Sequence, residues 1–178
     1  LHSAKTLSLD PQTTTLGKTL KQCIRPDTKL IYDCERWKDH MEEMMAAADY
    51  FIPSSAFFDS SSDKFETKHL FENIFKLEKM IRGQLIVTHG DAGAYYPFEN
   101  KLYHVPAPTI AVLDTTGAGD NCHGACALAS SRGFELHKAV RFSVAVASLS
   151  CRAYGGRDAV PGFDEALAMS RKLSSKVV

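Results

Sequence analysis

Apolar residues in this chain fall into two alternating patterns, short continuous runs and longer stretches that repeat every three or four positions. That alternation predicts strands separated by helices. Thr6-Leu7-Ser8-Leu9 reads as a strand stopped by Asp10-Pro11, because the residue before a proline is pushed out of the helical region. Residues 13–23 are polar and weakly helical, and Lys29-Leu30-Ile31-Tyr32 is a second strand ending at Asp33. Over 35–48, Trp37, Met41, Met44, Met45 and Ala48 share one helical face, which is read as core packing. Asp49-Tyr50-Phe51-Ile52 is a third strand, closed by Pro53, and 59–64 is a serine- and aspartate-rich loop. A helix is predicted over 65–81, with Leu70, Ile74, Leu77 and Ile81 on one side and Phe71 and Phe75 widening the face. Gly83 ends it.

Gln84-Leu85-Ile86-Val87-Thr88 has the continuous apolar character of a central parallel strand covered on both faces. Gly90-Asp91-Ala92-Gly93 then turns the chain, and a β-hairpin is expected around Glu99-Asn100. The apolar run Thr109-Ile110-Ala111-Val112-Leu113 leads into Asp114-Thr115-Thr116-Gly117-Ala118-Gly119-Asp120, followed by helical stretches at 121–131, 136–151 and 163–173. Strand and helix in alternation argue for one α/β domain over 1–178, built on a mainly parallel, Rossmann-like sheet flanked by helices.

Composition removes several function classes. Lys plus Arg equals Asp plus Glu at 21 each, so there is no overall charge bias toward nucleic acid or an anionic membrane. No apolar run approaches the ~20 residues of a membrane span, and no signal peptide is visible, so a cytoplasmic location is expected. The five cysteines (Cys23, Cys34, Cys122, Cys126, Cys151) include no C-x-x-C pair and read as reduced, buried thiols rather than a zinc site. Gly17-Lys18-Thr19 lacks the upstream glycine of a phosphate loop, since Gln12 stands there, and Lys18 is read as a solvated helix lysine. The chain opens at Leu1 without an initiator Met, which leads us to expect an upstream portion of the same protein.

The stretch 114–120 carries the chemistry. The first N–H groups of a helix lack internal partners and share the positive end of its macrodipole. Glycines at such a terminus let a phosphate approach the backbone. Asp120, at the mouth of the helix, could take a proton from a hydroxyl nucleophile. The competing reading is a helix cap preceded by a glycine turn.

The same seven residues, D-T-T-G-A-G-D, resemble the second signature of the ribokinase-like (PfkB) carbohydrate kinases. Val87-Thr88-His89-Gly90-Asp91-Ala92-Gly93 is similar to that family's V-T-x-G-x-x-G strand and turn, and 145–161 to its closing helix and loop. The resemblance covers the chain from about Asp33 onward. It implies the C-terminal, ATP-binding part of a ribokinase-like fold, with the sugar-binding lid and N-terminal strands upstream. It further implies that Asp120 is the general base and that the amides of Gly117, Ala118 and Gly119 form an anion hole for the γ-phosphate. Thr88, Gly90 and Gly93 would line ATP, with Ser143 near the adenine. Asp114 and Thr116, with carbonyls of 150–159, would sit near a monovalent cation such as K+; a strand-end carboxylate bonded to its own turn is the equal alternative for Asp114.

One stretch departs from the family pattern. Where N-x-x-E is usual, this chain has Ser54-Ser55-Ala56-Phe57, with Asp59 nearby. Mg2+ would then be held mainly by ATP oxygens. The expected activity is phosphorylation of a sugar or nucleoside hydroxyl. The alternative is a nucleotide-binding or regulatory module of the same fold with impaired catalysis. His89 and His123 flank the motif and are read as packing or surface residues; the oligomeric state, a homodimer included, stays open.

Overall fold

The computed structural model describes residues 3–10, 12, 16–61, 63–65 and 69–178. Four strands, β1 (Thr6–Leu9), β2 (Lys29–Cys34), β3 (Tyr50–Pro53) and β4 (Gln84–Leu85), pair in parallel in that order. Helices α1 (Gly17–Cys23), α2 (Met41–Ala47), α3 (Ala56–Asp59) and α4 (Leu70–Glu78) make the crossovers that parallel pairing requires. Side chains alternate across this sheet. Tyr32, Phe51 and Leu85 join one buried cluster with Met41, Met44, Met45, Ile74 and Leu77. Ile31, Ile52 and Ile86 point to the other face and pack with Cys126, Val140 and Val144. Both faces are therefore covered, as the continuous apolar runs imply.

The predicted strand 84–88 changes partner halfway. Its second half, β5 (Val87–Thr88), pairs antiparallel with β6 (Ala94–Phe98), which pairs with β7 (Lys101–Val105) and then β8 (Lys176–Val177). The turn after Thr88 folds the hairpin back onto it. The run nevertheless stays beside β3, since the Ile86 N–H donates to Phe51 O at 3.0 Å and Ser54 bridges Thr88 in parallel. The hairpin is as expected, with Glu99 and Asn100 both at positive φ.

Several elements are shorter than their periodicity suggests. The helix expected over 35–48 begins only at Met41, after His40 in a left-handed conformation. Trp37 instead packs from the preceding loop against Phe57, with ring centroids 5.9 Å apart. The helix expected over 65–81 is α4, and residues 66–68 lie outside the described part. So do Thr13, Thr14 and Thr15 at the start of the helix expected over 13–23, and the Lys18 side chain. The run 109–113 forms no strand, and Val112 and Leu113 are more than half exposed.

The last three helices, α5 (Ala118–Ser131), α6 (Leu136–Ser150) and α7 (Phe163–Ser170), close the second face. Ala125, Ala129, Ala139 and Ala166 are all but buried between them, so small side chains allow close approach, and Phe142 fills the remaining space. Burial pushes the Cys122 thiol up to about 12, so it stays protonated and inert, as expected of a packing cysteine. Among the described residues, no helix is long and apolar enough to cross a membrane.

Candidate active site

The 114–120 stretch folds as a turn locked at both ends. The Thr116 N–H and Oγ1–H donate to Asp114 Oδ1 at 2.9 and 2.8 Å, an Asx-type turn. Asp114 Oδ2 accepts from the Gly155 N–H at 2.7 Å, tying the motif to the loop after α6. These donors, Gly155 first, hold the Asp114 carboxyl below its usual range. Gly117 caps α5 in the left-handed conformation at φ 72°, and a Cβ there would lie 3.0 Å from Gly156 Cα. The Asn121 side chain donates to Gly156 O at 3.0 Å, so the 155–156 loop grips the helix start from both sides.

The helix mouth presents free donors, though not all three that were expected. The Ala118 N–H is taken by Thr115 O at 3.1 Å. Those of Gly117, Gly119 and Asp120 have no backbone partner among the described residues. A Cβ at Gly119 would meet nothing within 4 Å, so there is open space beside that residue. Asp120 stands exposed in the first turn, and its carboxylate forms no hydrogen bond or ion pair among the described residues.

The second expected segment faces this mouth. Gly93 adopts φ 97°, and a Cβ there would lie 2.1 Å from Val105 O, so the tight return from Thr88 to the hairpin requires glycine. His89 N–H donates to Gly93 O at 2.8 Å, and His104 on β7 donates from Nε2 to Ala92 O at 2.6 Å. Thr88, Gly90 and Gly93 line a small cavity together with Ala118, Gly119, Val144, Ala147 and Ser148. It adjoins a groove of about 500 Å³ lined by Gly90, Ala107, Pro108, Thr115, Ala118, Ala147 and Cys151. Gly117 and Asp120 stand beside these spaces without lining either. Ser143 is also absent from the lining. It is buried and donates back to Ala139 O at 2.9 Å, because its helix position points into the α5–α6 packing. One turn further on, Ala147 and Ser148 reach the groove, and sequence reasoning missed them because small residues on a packed helix carry no chemical signature.

The donor set does not suit a protein-held divalent metal: among the described residues no group of three His, Cys, Asp or Glu side chains converges. At Ser54-Ser55, where the family pattern has N-x-x-E, the Ser55 N–H instead donates to Thr88 O at 2.8 Å. Asp114 and Thr116 offer oxygen ligands, but both Asp114 oxygens already accept hydrogen bonds, which favours the turn-locking reading of this carboxylate.

An imidazole–carboxylate contact lies on the inner side of α5. His123 is 93% buried, at 7% exposure, and its Nε2 is 2.9 Å from Ile52 O and 3.2 Å from Asp33 Oδ1. Burial pushes the Asp33 carboxyl up, His123 opposes that, and the Glu35 and Asp120 carboxylates act in the same direction as burial. His123 Nδ1 is buried without a hydrogen-bond partner among the described residues.

The pfkB family carbohydrate kinase profile matches residues 1–162, and the chain belongs to that family. It is 29% identical over 156 residues to a ribokinase of Lactococcus lactis subsp. lactis, an alignment covering 86% of this chain and 49% of that protein. Its fold superposes on the crystal structure of Thermotoga maritima ribokinase with a TM-score of 0.79 at 26% identity, over 94% of this chain and 57% of the other. Arabidopsis thaliana ribokinase, solved with ribose and ATP, gives 0.77 at 22% identity over 94% and 56%. The architecture is thus ribokinase-like, and the chain spans about half the length of the curated relatives it matches.

Proposed function

We propose that residues 1–178 form the nucleotide-binding and catalytic part of an ATP-dependent carbohydrate kinase, which phosphorylates a hydroxyl of a sugar or nucleoside. The observation that carries this reading is the open start of α5. Among the described residues, the N–H groups of Gly117 and Gly119 have no backbone partner, a Cβ at Gly119 would meet open space, and the Asp120 carboxylate beside them is unengaged. Family membership and the solved relative with bound ribose and ATP agree with it.

In this reading the γ-phosphate rests against the helix mouth, where the macrodipole and amides stabilise charge as it develops. Asp120 accepts the proton of the acceptor hydroxyl as its oxygen attacks phosphorus, and the bond to the ADP leaving group breaks in line. The Thr88–Gly93 turn and the groove beside Ala147 and Ser148 hold the nucleotide. Residues that recognise the acceptor are sought beyond these 178, because the matched relatives are about twice as long.

Asp120→Asn in the full-length protein, assayed with ATP against a panel of sugars and nucleosides, is expected to lower kcat by about 10²–10⁴-fold. KM for ATP should change little. Activity close to wild type would remove Asp120 from the role of base. The replacement of N-x-x-E by Ser54-Ser55-Ala56-Phe57 favours a second reading, a nucleotide-binding module without turnover. ATP binding by calorimetry with no product from any acceptor in the panel would establish that one.

A further inference from the structure

Asp120 makes no hydrogen bond that would hold its carboxylate, so its position is set by the helix that carries it. The glycines at the start of α5 add no side-chain packing of their own. Gly119 and Gly124 face open space, where a Cβ would meet nothing within 4 Å. Two polar contacts anchor this segment on opposite sides. Asn121 reaches Gly156 O in the loop, and His123 reaches the ends of β2 and β3.

His123 lies three residues after Asp120, so the two side chains stand one helical turn apart on neighbouring positions of one face. The carbonyl of Ile52 can only accept a hydrogen bond, so Nε2 must carry a hydrogen. That hydrogen is donated to Ile52 O at 2.9 Å, and Asp33 Oδ1 lies 3.2 Å from the same nitrogen. The other ring nitrogen, Nδ1, is buried and unpartnered.

Asp33 on β2 feels His123, Glu35 just beyond the strand and Asp120 from α5, and it in turn acts on the protonated Cys122 of the same helix. Asp33 thus brings a negative charge close to the face of α5 that carries Asp120. A carboxylate–imidazole contact fixes the ring, and the ring fixes the helix.

Resting on the kinase reading above, we propose that His123 and Asp33 are positioning residues for phosphoryl transfer. The clip from β2 and β3 through His123 holds the first turns of α5, and with them Asp120, in register with the reacting atoms. Neither residue touches substrate in this proposal. The contribution enters through kcat, because a base displaced by ~1 Å can lose about 10²-fold in rate while nucleotide binding is retained.

The test uses the full-length protein. His123→Gln keeps an N–H donor close to the place of Nε2, and His123→Leu removes it at similar bulk. The leucine variant is expected to lose about 10–100-fold in kcat, with KM for ATP and acceptor within about threefold, and the glutamine variant to recover most of that loss. If His123→Leu keeps the wild-type kcat, or if glutamine and leucine lower activity equally and in step with thermal stability, the positioning role is overturned. Should the leucine variant not fold, Asp33→Asn serves in its place, since it keeps shape and an acceptor oxygen but removes the charge. A several-fold fall in its kcat at unchanged KM supports the proposal, and an unchanged kcat overturns it. Asp120→Asn in the same series separates the two claims: if it remains active, the kinase assignment of Asp120 fails whatever His123 does.

Discussion

At the scale of single residues, the two glycines of the motif do different jobs. Gly117 needs its left-handed backbone and has Gly156 pressed against it, whereas Gly119 has ordinary helical geometry and empty space ahead. Alanine should therefore act oppositely at the two positions. Gly117→Ala should destabilise the fold by about 1–2 kcal/mol for the αL conformation alone, more with the close contact. Gly119→Ala should stabilise it by roughly 0.4–1 kcal/mol, because the chain loses less entropy on folding. In the proposed site the same methyl group would stand where the phosphate approaches the amides, so ATP-dependent turnover should fall. Thermal melting and kinase assays on the pair test this: a Gly119→Ala protein as active as wild type would mean that the anion does not sit there. The D-T-T-G-A-G-D string pointed to this place, but nothing in it distinguished the two glycines. That difference comes from the 155–156 loop, some 40 positions away in the sequence, roughly the 41-residue separation of the Asp114–Gly155 bond.

Elements were legible where one period dominated and less so where chain reversal intervened. The continuous apolar run of 84–88 correctly predicts a strand covered on both faces, since Leu85 falls to one side of the sheet with Tyr32 and Phe51 and Ile86 to the other with Ile31 and Ile52. It could not predict that Val87 and Thr88 also pair antiparallel with the hairpin, because that depends on the turn that Gly93 allows. Trp37 fits the helical period of 35–48 yet sits outside the helix, for an apolar residue satisfies the core equally well from a loop. The hairpin turn offers a test at this scale. Glu99 and Asn100 both adopt positive φ, at 49° and 59°, the arrangement for which Asn-Gly is the favoured pair. Glu99→Asn combined with Asn100→Gly should raise stability by about 1 kcal/mol. The gain should appear as a higher Tm at unchanged kcat, since neither residue lines the groove. A lower Tm would show that Glu99 makes contributions that outweigh its backbone strain.

On the scale of the whole molecule, the sheet separates stability from chemistry. The proposed site gathers at the C-terminal ends of β2 and β3 and around the turn after β5, the usual location of ligands in open α/β sheets. The opposite end is tied by Asp49. Its carboxylate accepts from the Leu30 N–H at 2.9 Å, from Lys29 at 2.9 Å and from Lys21 at 3.2 Å, joining the start of β3 to β2 and α1. Burial pushes the Asp49 carboxyl up, but Leu30, Lys29 and Lys21 together outweigh it and hold the group below its ordinary 3.8. A depressed carboxyl contributes stability that is fully present above its unfolded value and is lost as pH falls through the folded one. Asp49→Asn should therefore be less stable than wild type at pH 7 by about 1 kcal/mol, the scale of partly exposed ion pairs. The gap should narrow below about pH 4 as the wild-type carboxyl takes up its proton, while kcat at pH 7 stays at the wild-type level. Urea denaturation across pH 3–8, paired with kinase assays at pH 7, decides the matter. A gap that persists undiminished to pH 3 would remove Asp49 as its source, and a fall in kcat would show that the two ends of the sheet are mechanically coupled.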